Sequence, residues 1–260
     1  MILAEAATAV ATSLNPLDFS WFSNPEAWIA LLTLCVLEIV LGIDNIVFIS
    51  ILVAKLPPEQ QPRARFFGLA LAMVARVTLL FLIGWVMSLT KPLFGVMGHS
   101  FSGKDLILFV GGLFLIYKAT KEIHEKLEGD PHHAIQGVGK ATLGAILVQI
   151  ALLDIVFSLD SVITAVGMVS YVSLMIIAVI VAVAFMMLFA GTVSDFVNEH
   201  PTVKMLALSF LLLIGTALIG ESLHFHIPKG YIYFAMGFSV LVEMLNLRAS
   251  AKKKRALVAH

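Results

Sequence analysis

Glu38-Ile39-Val40-Leu41-Gly42-Ile43-Asp44-Asn45 and, 116 positions later, Asp154-Ile155-Val156-Phe157-Ser158-Leu159-Asp160-Ser161 each set two carboxylates inside an apolar run long enough to cross a bilayer. An ionised side chain at the centre of a membrane helix costs roughly 2.5 to 3.5 kcal/mol even on insertion scales, so acids at that depth mark a polar site by default. Read from one residue earlier, Leu37 to Asn45 aligns with Leu153 to Ser161: Leu, Ile, Val and the second Asp are kept, and Glu38 is exchanged for Asp154. The match predicts an internal repeat.

The rest of the chain agrees with a membrane setting. Of 260 residues 60% are hydrophobic and 13% charged, and the mean hydropathy is +0.98. That composition belongs to a polytopic membrane protein rather than a soluble domain. The formal net charge is zero, so no electrostatic argument favours a nucleic-acid partner. Cys35 is the only cysteine, which leaves neither an intramolecular disulfide nor a thiolate metal cage. The sequence has no phosphate-cradling glycine loop, nucleophile elbow or zinc-protease helix, so neither enzymatic activity nor a bound cofactor is expected.

Apolar runs measured against the roughly 20 residues that span hydrocarbon predict seven transmembrane helices, over 27–54, 66–90, 104–120, 141–169, 171–192, 204–221 and 231–247. Pro57-Pro58, Pro92, Pro131, Pro201 and Pro228 punctuate the gaps, where the chain must leave the helical conformation. The fold class is an all-α membrane bundle with a transmembrane domain at 27–247. An N-terminal tail, 1–26, lacks the positive start of a cleaved signal and is expected to be retained. A basic tail, 248–260, follows the last span.

Lys and Arg orient this bundle, since positive residues stay on the cytoplasmic side. With the N-terminus outside and the C-terminus inside, thirteen basic residues, among them Lys55, Arg63, Lys121 and Lys252, fall on the inner side. Lys91, Lys104 and Lys229 fall outside, and Arg76 lies within the second span. Because the fourth span comes three after the first, the two acidic motifs enter the membrane from opposite sides. Spans one to three and four to six then form an inverted 3+3 repeat with the seventh appended, an arrangement that places transport sites near the midplane.

Glu38, Asp44, Asn45, Asp154, Asp160 and Ser161 together make an oxygen-rich set without sulfur or imidazole. Such ligands suit a hard divalent cation such as Mn²⁺, Mg²⁺ or Ca²⁺ and disfavour Cu⁺ or structural zinc. On a regular helix Glu38 and Asn45 share a face while Asp44 lies roughly 120° away, so local unwinding at Gly42 and Ser158 is expected to bring each second acid toward the first. Arg76 reads either as a counter-charge or gate for these acids or as a snorkelling, helix-packing residue. Clustered carboxylates that have lost their cation take up protons, which makes proton coupling compatible with the site.

Other polar residues have simpler readings. Glu221 and Glu243 lie near helix ends within reach of interfacial water, with a place in a vestibule as the alternative. The stretch from Lys121 to His133 mixes both charge signs with three histidines and reads as a solvated connector. His224 and His226 are expected to face solvent, and Gly111-Gly112 to allow close helix packing.

Three stretches resemble those of the TerC family of membrane proteins: Glu38 to Asn45, Leu153 to Ser161, and the region from Ile227-Pro228-Lys229-Gly230-Tyr231 through Glu243-Met244-Leu245-Asn246. The similarity runs from about residue 25 to 247. It implies a multi-helix protein of the bacterial inner membrane, in a family named for tellurium resistance with members linked to Mn²⁺ export and to metal supply for exported enzymes. By motif match, Glu38, Asp44, Asn45, Asp154, Asp160 and Ser161 inherit the expected ion-binding role. Some relatives append cytoplasmic regulatory domains, which the short tail after the seventh span is not expected to hold, and plant relatives are associated with thylakoid assembly. The expected activity is therefore divalent-cation export. A membrane-assembly or stress-resistance factor that moves no ion is the alternative. Expected partners are a divalent metal ion, the lipid bilayer, and secretion machinery or exported metalloenzymes, with a second copy of the chain also admissible.

Overall fold

The structure, a computed structural model, describes residues 18–96, 99–128, 142–169, 171–225 and 227–258, with the side chains of 43, 44, 96, 99 and 251–258 outside the described set. Asn24 opens the first long helix, α1 (Pro25–Val53), by accepting the Glu26 amide on its side-chain oxygen at 3.0 Å, with Pro25 at the first helical position. Both features are suited to a helix start, where backbone N–H groups lack partners and proline loses nothing. Ahead of it Trp21 is 1% exposed and donates its indole N–H to Ser173 Oγ at 2.9 Å. The chain segment before α1 is thus pinned to the start of a helix 150 residues further on.

A 3₁₀ turn, Pro58–Gln60, leads into α2 (Gln61–Phe81). Leu82 leaves helical geometry, and a short helix follows over Ile83–Ser88. The expected second span, 66–90, is therefore two pieces. A feature absent from the all-helical expectation comes next: β1 (Pro92–Val96) pairs antiparallel with β2 (His99–Ser102). Phe94 and Phe101 stack across this hairpin, and Phe101 stacks in turn on the His224 ring. Ser102 and Asp105 then form a reciprocal capping box that starts α3 (Gly103–Leu127), satisfying two orphan amides at once.

The remaining helices are α4 (Leu143–Met168), capped by Thr142, α5 (Val172–Glu199), α6 (Pro201–Ser222) and α7 (Lys229–Val258). Pro201 ends α5 and begins α6, as a residue without an amide hydrogen must. Among the described residues six helices, one fewer than the seven expected, are long and apolar enough to cross a membrane: α1, the segment from Pro58 through α2, α4, α5, α6, and α7 as far as Ser250. α3, at 25 residues, matches them in length but carries Lys104, Asp105, Lys118, Lys121 and Glu122.

The main contacts join α1 to α5, α2 to α4, and α3 to α6, with α2 also touching α5. Exchanging α1 with α4, α2 with α5 and α3 with α6 leaves this list unchanged. Small residues set the closest approaches. A Cβ on Gly112 of α3 would stand 2.7 Å from the Gly215 carbonyl oxygen of α6, and one on Gly215 would stand 3.0 Å from the Gly112 oxygen. A Cβ on Gly42 would overlap the Met186 thioether at 2.2 Å.

That last contact corrects the expectation of helix breaks. α1 runs unbroken through Gly42 and α4 through Ser158. Gly42 is there to admit Met186, and Ser158, fully buried, donates to the carboxylate of Asp154 one turn earlier at 3.0 Å. Neither position unwinds, because every backbone amide keeps its helical partner and hydrocarbon penalises an open one heavily.

Candidate functional site

Three helices meet at a buried ionic triad. Arg76 of α2 is 2% exposed, Glu38 of α1 6% and Asp154 of α4 3%. The guanidinium donates through one terminal nitrogen to Glu38 Oε2, and through Nε and its other terminal nitrogen to Asp154 Oδ1 at 3.2 and 3.0 Å. Only arginine can hold two carboxylates in different directions with a planar fork and remain charged when buried. Asn45 Nδ2 approaches the same Asp154 oxygen at 3.4 Å, and Ser158 covers the other. Among the described residues no buried side-chain nitrogen or oxygen lacks a partner. Two negative charges against one positive leave the triad with a formal surplus of one negative charge.

Two cavities adjoin this triad. The larger, about 230 Å³, is lined by Leu41, Phe157, Asp160, Ser161, Glu221 and Lys229, among others. The smaller, about 20 Å³, is walled by Leu69, Ala72, Ile150, Asp154 and Met186. A volume of that size holds about one water molecule, whereas the larger has room for several or for a hydrated ion. Asn45 and Arg76 line both cavities. They therefore stand in the partition, with the larger cavity toward the end of the bundle where α4 stops and α7 starts.

At that end a second ionic cluster forms. Asp160 pairs with Lys229 and lies 3.5 Å from Lys104, whose ammonium is 2.8 Å from Glu221. Lys104 comes from the start of α3, Glu221 from the end of α6, Asp160 from α4 and Lys229 from the first turn of α7. The stack of Phe94, Phe101 and His224 fixes this corner, since His224 also bonds Ser100 O at 2.9 Å and follows Glu221 by three residues.

Of the residues singled out in the sequence, Glu38, Asn45 and Asp154 are thus brought together, on Arg76. Asp160 is not among them. Six residues separate it from Asp154, which on the continuous α4 turns it roughly 120° away. Ser161 lines the larger cavity and donates to the Ser158 carbonyl at 3.2 Å. Asp44 lies on α1, its side chain outside the described residues. Among the described residues no three His, Cys, Asp or Glu side chains form a metal-ligand group.

Lys104 and Lys229 read in the sequence only as markers of membrane side, and Glu221 lines the cavity as its vestibule alternative has it. One local signal was available. A lysine that begins a helix sits at the positive end of its dipole, an unfavourable place without an anion nearby.

The family model for TerC, described as an integral membrane protein family, matches residues 23–257. Among curated proteins, a UPF0053 protein of Haemophilus influenzae is 58% identical over 230 residues, covering 88% of this chain and 97% of that one. The UPF0053 inner membrane protein YgdQ of Escherichia coli K12 is 57% identical over 234 residues, 90% of this chain and 98% of the relative. The longer UPF0053 inner membrane protein YoaE of the same organism is 56% identical over 223 residues, which are 86% of this chain and 43% of YoaE. No solved structure matches. Matches of this extent take in every helix from α1 to α7 and both ionic clusters, so the chain belongs to the TerC family of integral membrane proteins.

Proposed function

We propose that this protein is a multi-pass transporter of the bacterial inner membrane that exports a divalent cation, Mn²⁺ being the cation that the family resemblance implies. One observation carries the reading: acids from the two related motifs, Glu38 and Asp154, converge on a single guanidinium that lines two cavities. A buried ion pair that served stability alone would be a poor choice, since apolar residues of like volume commonly do as well or better. Arg76 is then the built-in cation that holds the acids between substrate ions. The travelling ion takes its place with Glu38, Asp154 and Asn45 as oxygen donors, Asp160 and Ser161 in the wall of the larger cavity are the donors it meets beyond them, and Asp44 is a further ligand the motif supplies. Oxygen donors of this kind suit Mn²⁺.

The exchange symmetry of the helix contacts supports two related halves, α1–α3 and α4–α6, with α7 appended. Rocking of one half against the other would open the small and large cavities in turn. The positive-inside distribution puts the N-terminus outside and the C-terminus inside. Protons entering the acids as the cation leaves would couple the two fluxes.

Efflux from Mn²⁺-loaded cells tests the proposal. Glu38→Gln and Asp154→Asn each leave Arg76 with one carboxylate, so the fold keeps a neutral pair while the site loses a ligand charge. The expected result is loss of efflux at unchanged protein abundance, and full efflux in both variants would reject the assignment. The pairing of every buried side-chain nitrogen and oxygen among the described residues favours a second reading, in which the triad only ties helices together and the protein docks secretion machinery or exported metalloenzymes. Co-purification with such partners, together with no metal flux through the isolated protein, would favour it.

A further inference from the structure

The last helix is held differently from the other six. Among its described side chains only Met236 is buried, at 8% exposure, and its main packing partner is α6. Yet the chain around its start lines the large cavity, with Ile227, Lys229, Ile232 and Tyr233 in the wall. With so little apolar burial at this turn, the polar contact between Lys229 and Asp160 is the main tie between the start of α7 and α4. The lysine is there despite the helix dipole, which disfavours a cation at the first residue. Its side chain is 39% exposed while that of Asp160 is 12% exposed, so the ammonium stands at the rim and the carboxylate faces inward.

We infer that Lys229, backed by Lys104, is a tethered cation that closes the large cavity by occupying Asp160, and that the travelling divalent cation leaves by displacing it. The inference rests on the cation-transport reading of the same cavity. Its chemistry is that of competition. Asp160 and Glu221 are the two acids of the cavity wall, and each already holds an ammonium. A divalent ion reaching Asp160 offers twice the charge of Lys229, and a released Lys229 loses little, because its long stem already reaches the rim and water. The first turn of α7 then has only its light apolar contacts to keep it in place. Re-pairing restores the closed mouth and prevents the ion's return, so direction and closure use the same carboxylate.

Thiol accessibility reads the closure directly and without any flux. In a Cys35→Ala background, Ala217→Cys places one thiol in the wall of the large cavity on α6. Sealed vesicles of either orientation are treated with a membrane-impermeant, positively charged methanethiosulfonate reagent. The expected result is slow labelling with Lys229 present, at least tenfold faster labelling from one side in Lys229→Met and in Asp160→Ala, and slow labelling in Lys229→Arg, which keeps the cation. Thermal melting of each purified variant confirms that it remains folded. Unchanged labelling in either Lys229→Met or Asp160→Ala overturns the inference, as does an acceleration in Lys229→Arg equal to that in Lys229→Met. Wild-type vesicles without Mn²⁺ flux but with Lys229-dependent labelling would reject the transport reading alone, and Mn²⁺ flux with labelling indifferent to Lys229 would overturn this inference alone.

Discussion

Asp154 and Asp160 lie six residues apart on one helix and are neutralised by different cations, the first by Arg76 within the bundle and the second by Lys229 at the cavity mouth. One turn of geometry thus divides the acidic motif into an inner and an outer station. The consequences differ for stability and for transport, and they can be measured separately.

The inner station makes Arg76 indispensable to the fold. Arg76→Met leaves two buried carboxylates without a cation, and breaking a buried pair in this way costs about 3–5 kcal/mol. The detergent-solubilised variant should melt well below wild type. Adding Glu38→Gln and Asp154→Asn to Arg76→Met removes the uncompensated charge and should recover most of the melting temperature. A triple variant no more stable than Arg76→Met would show that the charges were not the cause.

Helix contact at the glycine pair makes a sharper prediction about α3 and α6. Gly112→Val must push the Gly215 backbone away, because the first added carbon alone would lie 2.7 Å from its oxygen. Overpacking of this kind costs about 1–3 kcal/mol. Gly144, which meets nothing within 4 Å, is the control, and Gly144→Val should melt close to wild type.

The tail before α1 is anchored by one indole. Trp21→Ala removes a large, fully enclosed side chain and its hydrogen bond to Ser173, a change that costs about 3–5 kcal/mol. Ser173→Ala, which removes the acceptor for the indole and the donor to the Asp18 carbonyl but leaves the ring packed, should cost about 1–3 kcal/mol. Limited proteolysis near residues 18–24 should speed up in the first variant far more than in the second.

Just beyond α1, Lys55 gives a pH signature at the opposite end of the bundle from the cavity mouth. Burial alone would lower its pKa, but its bond to Glu122 and the charges of Glu122 and Glu125 outweigh that and hold it above the ordinary 10.5. A raised folded-state value means the stabilisation is fully present below the unfolded value and is lost as pH rises through the folded one. Melting temperatures of wild type and Lys55→Met should therefore differ by a constant amount from pH 6 to 9 and converge only above 10.5. Convergence at lower pH would contradict the pairing.

Much of this architecture was legible before any coordinates. Apolar runs of membrane length located the helices, because a span is defined by length and hydropathy, which are local properties, although among the described residues six of the seven expected spans meet both criteria and α3 does not. The acidic repeat pointed to Glu38 and Asp154, which do meet, but grouped Asp160 with them, and Arg76 read equally as a counter-charge and as a packing residue. Gly42 misled, since a glycine that breaks a helix and one that admits Met186 look the same in sequence. The hairpin at Pro92–Ser102 escaped because its strands are four and five residues long and its order comes from the stack of Phe94, Phe101 and His224. Lys104, Asp160, Glu221 and Lys229 come from four separate helices, and no spacing along the chain announces that they meet.

Mn²⁺ flux through the purified protein in sealed vesicles, read by an enclosed metal-quenched dye, bears most directly on the central claim that Glu38 and Asp154 grip a travelling cation. The account predicts saturable flux for wild type and at least a tenfold reduction in Asp154→Asn with an unchanged melting temperature. Wild-type vesicles no leakier than empty ones, or an Asp154→Asn variant that conducts as fast as wild type, would contradict it.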